Sequence, residues 1–426
     1  MSTPKTVKRL VACFGSIQLI TALSVLSHRE KEQQELNLKY ENYLVITPLW
    51  APRGQNDEFA AFIEKMARSF CSWEKIVYIP LEQIKSIAKD LNSFGLSGIS
   101  NEVHELLGLK NADEIYLSRE YKFEDQLLMN VYESAEKICY GNGIGIYTCE
   151  SAFPRPSSFK KSHKKSPGYL KYIYNYLQQQ LKILISQNTG TQNTGTQNNL
   201  LTKQEFDLGY FSLPSAFGQV PTMKTVTLDR AVYLQIFQRL RRTLGSLIDV
   251  KYVNDLRTKL QNVPTSILLT SNFSEASGRM SLENEIAAYR EFLENQGIEK
   301  NSILLIKPHP RDSKNKILKL KSALSELYSE IILLNEEFLF YLPFELFFMD
   351  VFLNSEQPTL QVPRIFTFSS ACLTLELVFN IECIFGFGSN IVEKFFYQDH
   401  IAGRIKHEAD LIATVREIKN LNACLV

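Results

Sequence analysis

Short apolar runs separated by helical patterns recur along this chain in two series, and nothing else in it narrows the fold as far. In the first third, Leu10 to Phe14, Tyr43 to Pro48, Lys75 to Pro80 and Glu114 to Leu117 read as strands. A turn at Gly15-Ser16 and a helix follow the first of them, and Asn56 to Phe70 and Leu81 to Asn92 read as further helices. A helix over Asp229 to Ile248 closes this series, and Ser266 to Thr270 opens the second. There, helices over Leu282 to Asn295 and Lys314 to Tyr328 alternate with strands at Ile303 to Ile306, Ile331 to Leu334 and Ile365 to Phe368. Strict alternation means a parallel sheet with helices on both faces, since parallel neighbours need a crossover connection. Two series in 426 residues predict two α/β domains, residues 1–248 and 249–426, facing each other across a cleft.

Ile303-Leu304-Leu305-Ile306-Lys307-Pro308-His309-Pro310-Arg311-Asp312 ends a buried strand abruptly, because two prolines forbid both a helix and a further ladder partner. A histidine fixed at the carboxyl end of such a strand stands where open α/β sheets bind ligands, and Lys307 and Arg311 add positive charge beside it. A rigid surface turn is the alternative. Ser369-Ser370 opens a helix at another strand end, offering two hydroxyls and the free N–H groups of a first helical turn to a phosphate or carboxylate; serines there also simply cap their own helix. Ser271-Asn272, after the strand at Ser266, begins a loop that reads as a plain polar loop over most of its length or as the lining of a donor cleft.

Composition excludes several classes. Net charge of +1, with 45% hydrophobic and 22% charged residues, describes a globular protein without a field that gathers nucleic acid. Seven scattered cysteines suit a reducing cytoplasm, and neither a disulfide framework nor a zinc site is spaced out by them. No run reaches the ~18 to 20 apolar residues of a membrane span, although peripheral attachment at the inner membrane is compatible with the chain. There is no Asp-x-Asp, and the six histidines do not cluster, so no metal and no cofactor are expected. Oligomeric state is not legible. Gly141, Gly143 and Gly145 are not a dinucleotide fingerprint, since no helix opens from them; they suit a sharp turn or close approach of a ligand. The repeat over residues 187–198 buries nothing and reads as a disordered loop, and Lys160 to Lys165 reads as a solvated run or a patch for a polyanionic acceptor. Phe338, Phe340, Tyr341, Phe344, Phe347 and Phe348 read as packing.

Ile306-Lys307-Pro308-His309-Pro310, followed by Phe366-Thr367-Phe368-Ser369-Ser370, resembles the His-Pro and Ser motifs of bacterial sialyltransferases, especially the polysialyltransferase-like group of GT-B fold. Cys139-Tyr140-Gly141-Asn142-Gly143 is similar to that group's acidic motif. The resemblance implies two facing Rossmann-like domains, an acceptor-side domain first and a CMP-donor domain second. It implies inverting, metal-independent transfer from CMP-sialic acid to a glycan hydroxyl. His309 would serve the departing phosphate, and Lys307, Pro310, Ser369, Ser370, Ser271 and Asn272 would bind the donor. Asn142 stands where the family has its carboxylate base, and an amide cannot take a proton; Asp113, Glu114 and Glu150 are nearby in sequence. Two alternatives stay open: a GT-B transferase using another activated donor, and a nucleotide- or glycan-binding homologue that has lost the base.

Overall fold

A computed structural model describes residues 4–47, 54–120, 122–148, 201–243, 245, 247–354 and 360–423. The Lys160 run, the repeat over 187–198 and Glu150 lie outside them. Seven strands form one sheet: β1 (Lys5–Cys13), β2 (Leu38–Ile46), β3 (Lys75–Tyr78), β4 (Glu114–Leu117), β5 (Glu136–Cys139), β6 (Leu208–Phe211) and β7 (Lys224–Thr227). Five form another: β8 (Thr265–Leu269), β9 (Ile303–Lys307), β10 (Glu330–Leu333), β11 (Arg364–Thr367) and β12 (Cys383–Phe385). Every pairing between these strands is parallel. The orders, β3-β2-β1-β4-β5-β6-β7 and β10-β9-β8-β11-β12, each grow outward in both directions from their first strand. Both units are therefore Rossmann-like, and each has a switch point beside that first strand, where strand ends leave a crevice.

In the first unit β1 begins at Lys5, earlier than its apolar run. Arg9, inside the strand and fully buried, is what an apolar-run rule misreads: Glu114 accepts from its Nε at 3.0 Å and Glu30 from its Nη1 at 2.8 Å, so the charge is balanced in the interior. The Asn56–Phe70 and Leu81 helices start where their patterns predict. The second runs on to Leu107 through a break at Gly95, whose φ of 69° and ψ of 179° are not helical. Leu10, Ile87, Leu91, Ile115 and Leu117 are among the residues packed at its core.

Contacts divide the chain differently from residues 1–248 and 249–426. The second unit comprises residues 50–70, 216–218 and 229–426. The Asn56–Phe70 helix belongs to it because Phe59 stacks on Tyr341 at 5.5 Å, and Arg239, from the Arg230–Thr243 helix, donates to the carbonyl of Phe70. The core of this unit is aromatic. Phe368 and Phe387 lie 4.1 Å apart between centroids, and Phe273, Tyr289, Phe292 and Phe366 join them. Tyr341, Phe347 and Phe348 are buried as packing residues. No described helix is long and apolar enough to cross a membrane.

Candidate active site

In the second unit, three adjacent strands end at one level: Leu269 of β8 pairs with Lys307 of β9 on one side and Thr367 of β11 on the other. Ser271, His309 and Ser369-Ser370 thus leave the same edge of the sheet, around the switch point between β8 and β11. The serine loop and the β11 end are tied together, since Ser271 Oγ donates to the carbonyl of Phe368 at 3.4 Å.

Asp312 organises the turn after β9. One carboxylate oxygen accepts from the His309 N–H at 3.0 Å and from Thr270 Oγ1 at 3.0 Å; the other accepts from Asn272 Nδ2 at 2.8 Å and Lys316 Nζ at 2.7 Å. Thr270 Oγ1 also accepts from the His309 N–H at 2.9 Å, and the Asp312 N–H donates to His309 O at 2.9 Å. Lys316 continues inward. Its buried ammonium donates to Glu285 at 2.6 Å and to the carbonyl of Ser271 at 3.1 Å, while Glu285 accepts from the Phe273 and Ser274 N–H groups at 3.2 and 2.8 Å. Removing Lys316 leaves two carboxylates buried and uncompensated, a loss of about 3–5 kcal/mol. Asn272 therefore does not present its amide to the crevice as a donor-binding group would. It holds the loop: its Nδ2 is committed to Asp312 and its Oδ1 to Ala276 N–H at 2.5 Å.

The electrostatics follow from this packing. Burial, then Arg311, Lys316 and Lys307, push His309 down to about 3, so the imidazole is neutral. Burial holds Lys307 down to about 7, with Asp312 acting the other way, and its ammonium sits 4.6 Å above the Phe340 ring. Asp312 is raised by burial despite Lys316. Ser370 is exposed and makes no capping bond to its own helix, Ala371–Phe379; Ser369 Oγ accepts from the Ala371 N–H only at 3.5 Å. Pro310 is partly exposed. Lys307, His309, Ser369, Ser370 and Ser271 are thus gathered at one edge, while Asp312, Lys316, Thr270 and Glu285 carry the frame. The sequence signal for Asp312 as a frame residue is an Asp with a Lys four residues on, at a helix start.

In the first unit, Gly141 to Ile146 close a sharp turn after β5: the Asn142 N–H donates to Ile146 O and the Ile146 N–H to Asn142 O, both at 2.9 Å. Only glycine fits at 141, where φ is 76° and a Cβ would lie 2.8 Å from the Ile146 carbonyl oxygen. Gly143 and Gly145 also take positive φ, and Thr21 Oγ1 donates to the Gly143 carbonyl. Asn142 Oδ1 accepts from Gln18 Nε2 at 3.2 Å. Asp113 and Glu114 are at the amino end of β4, on the opposite edge from Asn142; Asp113 accepts the Lys8 N–H at 2.7 Å, and Glu114 is bound by Arg9, Arg29 and Tyr116. Asp125, from the helix that follows β4, is a carboxyl the sequence did not flag. It is buried, one of its oxygens has no hydrogen-bond partner among the described residues, and burial pushes it up to about 7 against the opposing charge of Lys122.

A sequence model of the family described as Alpha-2,8-polysialyltransferase (POLYST) matches residues 9–341. The chain belongs to this family. It is accordingly a glycosyltransferase of the sialyl-transferring kind, with a nucleotide-sugar donor and a glycan acceptor. No curated protein matches it. Solved structures similar to it include the UDP-GlcNAc 2-epimerase from Methanocaldococcus jannaschii, 9% identical with a TM-score of 0.44, covering 96% of this chain and 92% of that one. The UDP-GlcNAc 2-epimerase from Neisseria meningitidis bound to UDP-GlcNAc is 11% identical with a TM-score of 0.40, covering 86% and 78%. The GT-B domain of a sialyltransferase from Photobacterium damselae is 11% identical with a TM-score of 0.37, covering 88% and 89%.

Proposed function

We propose that the chain transfers sialic acid from CMP-sialic acid to a glycan hydroxyl, with inversion and without a metal. The observation that carries this reading is the edge shared by β8, β9 and β11, where a neutral imidazole, a lysine and the exposed Ser370 stand with Ser369 around a switch point. In the reaction the bond between the anomeric carbon and the phosphate oxygen breaks, and its electron pair leaves with CMP. The acceptor oxygen bonds to that carbon from the opposite face, and its proton passes to solvent water. Charge building on the phosphate is met by the imidazole N–H, by the hydroxyls of Ser369 and Ser370 and by the Lys307 ammonium, donors that need no reorganisation. On this reading these groups, in place of a metal, stabilise the leaving phosphate. Asn142 is an amide and cannot accept that proton.

Asn142 favours a second reading, a homologue that binds CMP and no longer turns it over. Offering CMP-sialic acid with UDP- and CDP-linked sugars, and following release of each nucleotide with and without glycan acceptors, separates the two. Release of CMP alone supports transfer. Release of UDP or CDP in its place overturns the donor assignment, and tight CMP binding with no release from any donor favours the binding homologue.

A further inference from the structure

A second cationic cluster stands beside the same switch point. The loop leaving β8 reaches Arg279, whose N–H donates to the Phe273 carbonyl at 2.7 Å and whose carbonyl accepts from the Tyr397 N–H at 2.9 Å. Arg404 comes from the last helix, Gln398–Ala423, and is only 2% exposed. Its Nη1 donates at 3.2 Å to the carbonyl of Phe368, the group that also accepts from Ser271 and immediately precedes Ser369. Its guanidinium lies 4.7 Å from the Phe273 ring centroid, and its Nη2 is buried with no hydrogen-bond partner among the described residues.

Glu408 is the carboxylate paired with Arg404, at 2.7 Å, and it is already occupied by the N–H groups of Phe387 and Gly388 at 3.0 and 2.9 Å. The charge bearing most on Arg279 is a like one: burial, then Arg404, lower it from the usual guanidinium range. Burial, then Arg404 and Arg279, push His407 down to about 4, with Glu408 and Asp410 acting the other way; burial, then Arg279, lower His400 against Asp399. Among these groups Glu408 is the one buried carboxylate and it is committed, while Asp399 is exposed and Asp410 is paired with Lys406 at 2.6 Å. Such a group is short of negative charge, and an arriving oxyanion supplies it.

We propose that Arg279 and Arg404 form a second anion subsite of the donor crevice and take the carboxylate of the donor sugar, while the β9 turn and Ser369-Ser370 take its phosphate. The proposal rests on the CMP-sialic acid reading. In that donor the carboxylate and the phosphate ester are both attached to the anomeric carbon, so their sites must be neighbours, as the consecutive residues Phe368 and Ser369 are. Guanidinium forks suit a planar carboxylate, which accepts two parallel N–H bonds.

Calorimetric titration of CMP and of CMP-sialic acid, without acceptor, into wild type and Arg279→Gln tests the assignment. CMP-sialic acid should bind the variant roughly tenfold to a hundredfold more weakly, as expected for lost hydrogen bonds to a charged group, and CMP about as well as before. Arg279→Lys should fall between, because it keeps the charge without the fork. The free Arg279→Gln protein should melt at or above the wild-type temperature, since a like-charge repulsion has been removed. Equal weakening of both ligands, no weakening of CMP-sialic acid, or a lower melting temperature overturns the subsite. Failure of wild type to bind either ligand overturns the donor reading with it, a result distinct from the other three.

Discussion

The backbone N–H of Arg311 donates to Nδ1 of His309 at 3.1 Å. Because Nδ1 is an acceptor, the single proton of the neutral ring is on Nε2. With its pKa pushed down to about 3 by burial and by Arg311, Lys316 and Lys307, this imidazole donates a hydrogen bond and is not a reservoir of an extra proton. His309→Ala should lower turnover by about 100-fold or more with only a modest change in CMP affinity, because a preorganised donor matters most when the leaving group gains charge. His309→Asn retains an amide donor and should recover part of that loss. Full activity in a folded His309→Ala protein would make the turn purely structural.

Lys307 should give donor affinity a pH dependence. Its ammonium is held down to about 7 by burial, so it is charged below that pH and neutral above it. A phosphate prefers the charged form. The affinity advantage of wild type over Lys307→Met for CMP should therefore be greatest near pH 6 and shrink as pH rises through about 7, by about tenfold across the range. Titrations of both proteins at pH 6 and 8.5 measure it; a constant difference contradicts a phosphate contact by this residue.

Asn142→Asp should raise transfer, since a carboxylate can take the acceptor proton and general-base contributions are typically about 100- to 10,000-fold. Initial rates of wild type and variant with one acceptor decide the matter. An unchanged or lower rate places the base elsewhere.

Asp125→Asn should stabilise the protein in a pH-dependent way. The folded carboxyl is raised from 3.8 to about 7, so the native state holds its proton more tightly than the unfolded chain does. Its ionisation weakens the fold progressively from about pH 4 to 7, and the full penalty, about 2–4 kcal/mol, is present above that window. The variant's gain in melting temperature should accordingly be largest near pH 8 and vanish near pH 4. A gain independent of pH contradicts the burial argument.

Much of this arrangement was legible because it is local. The β4 run, the Asn56–Phe70 helix and the proline-bounded end of β9 are each set by a few consecutive residues, and the structure places the β4 and helix bounds where the pattern does. What was not legible depends on partners distant in the chain. β1 extends back to Lys5 with Arg9 buried against Glu114, and Lys316 becomes a core residue only when Glu285 and Asp312 surround it. Arg404 reaches the end of β11 from the last helix. The Phe123–Val131 helix, from which Asp125 comes, was overlooked, although Glu124 and Asp125 give it an acidic first turn. The exposed β7 has little apolar pattern to announce it.

On the proposed reading, the carboxyl edge of β8, β9 and β11 receives the donor phosphate. Amide hydrogen exchange with and without CMP tests it most directly. Added CMP should slow exchange in residues 303–312 and 366–373 and leave the Gly141–Ile146 turn unchanged. Slowing confined to residues 137–148, with none in the second unit, would contradict it.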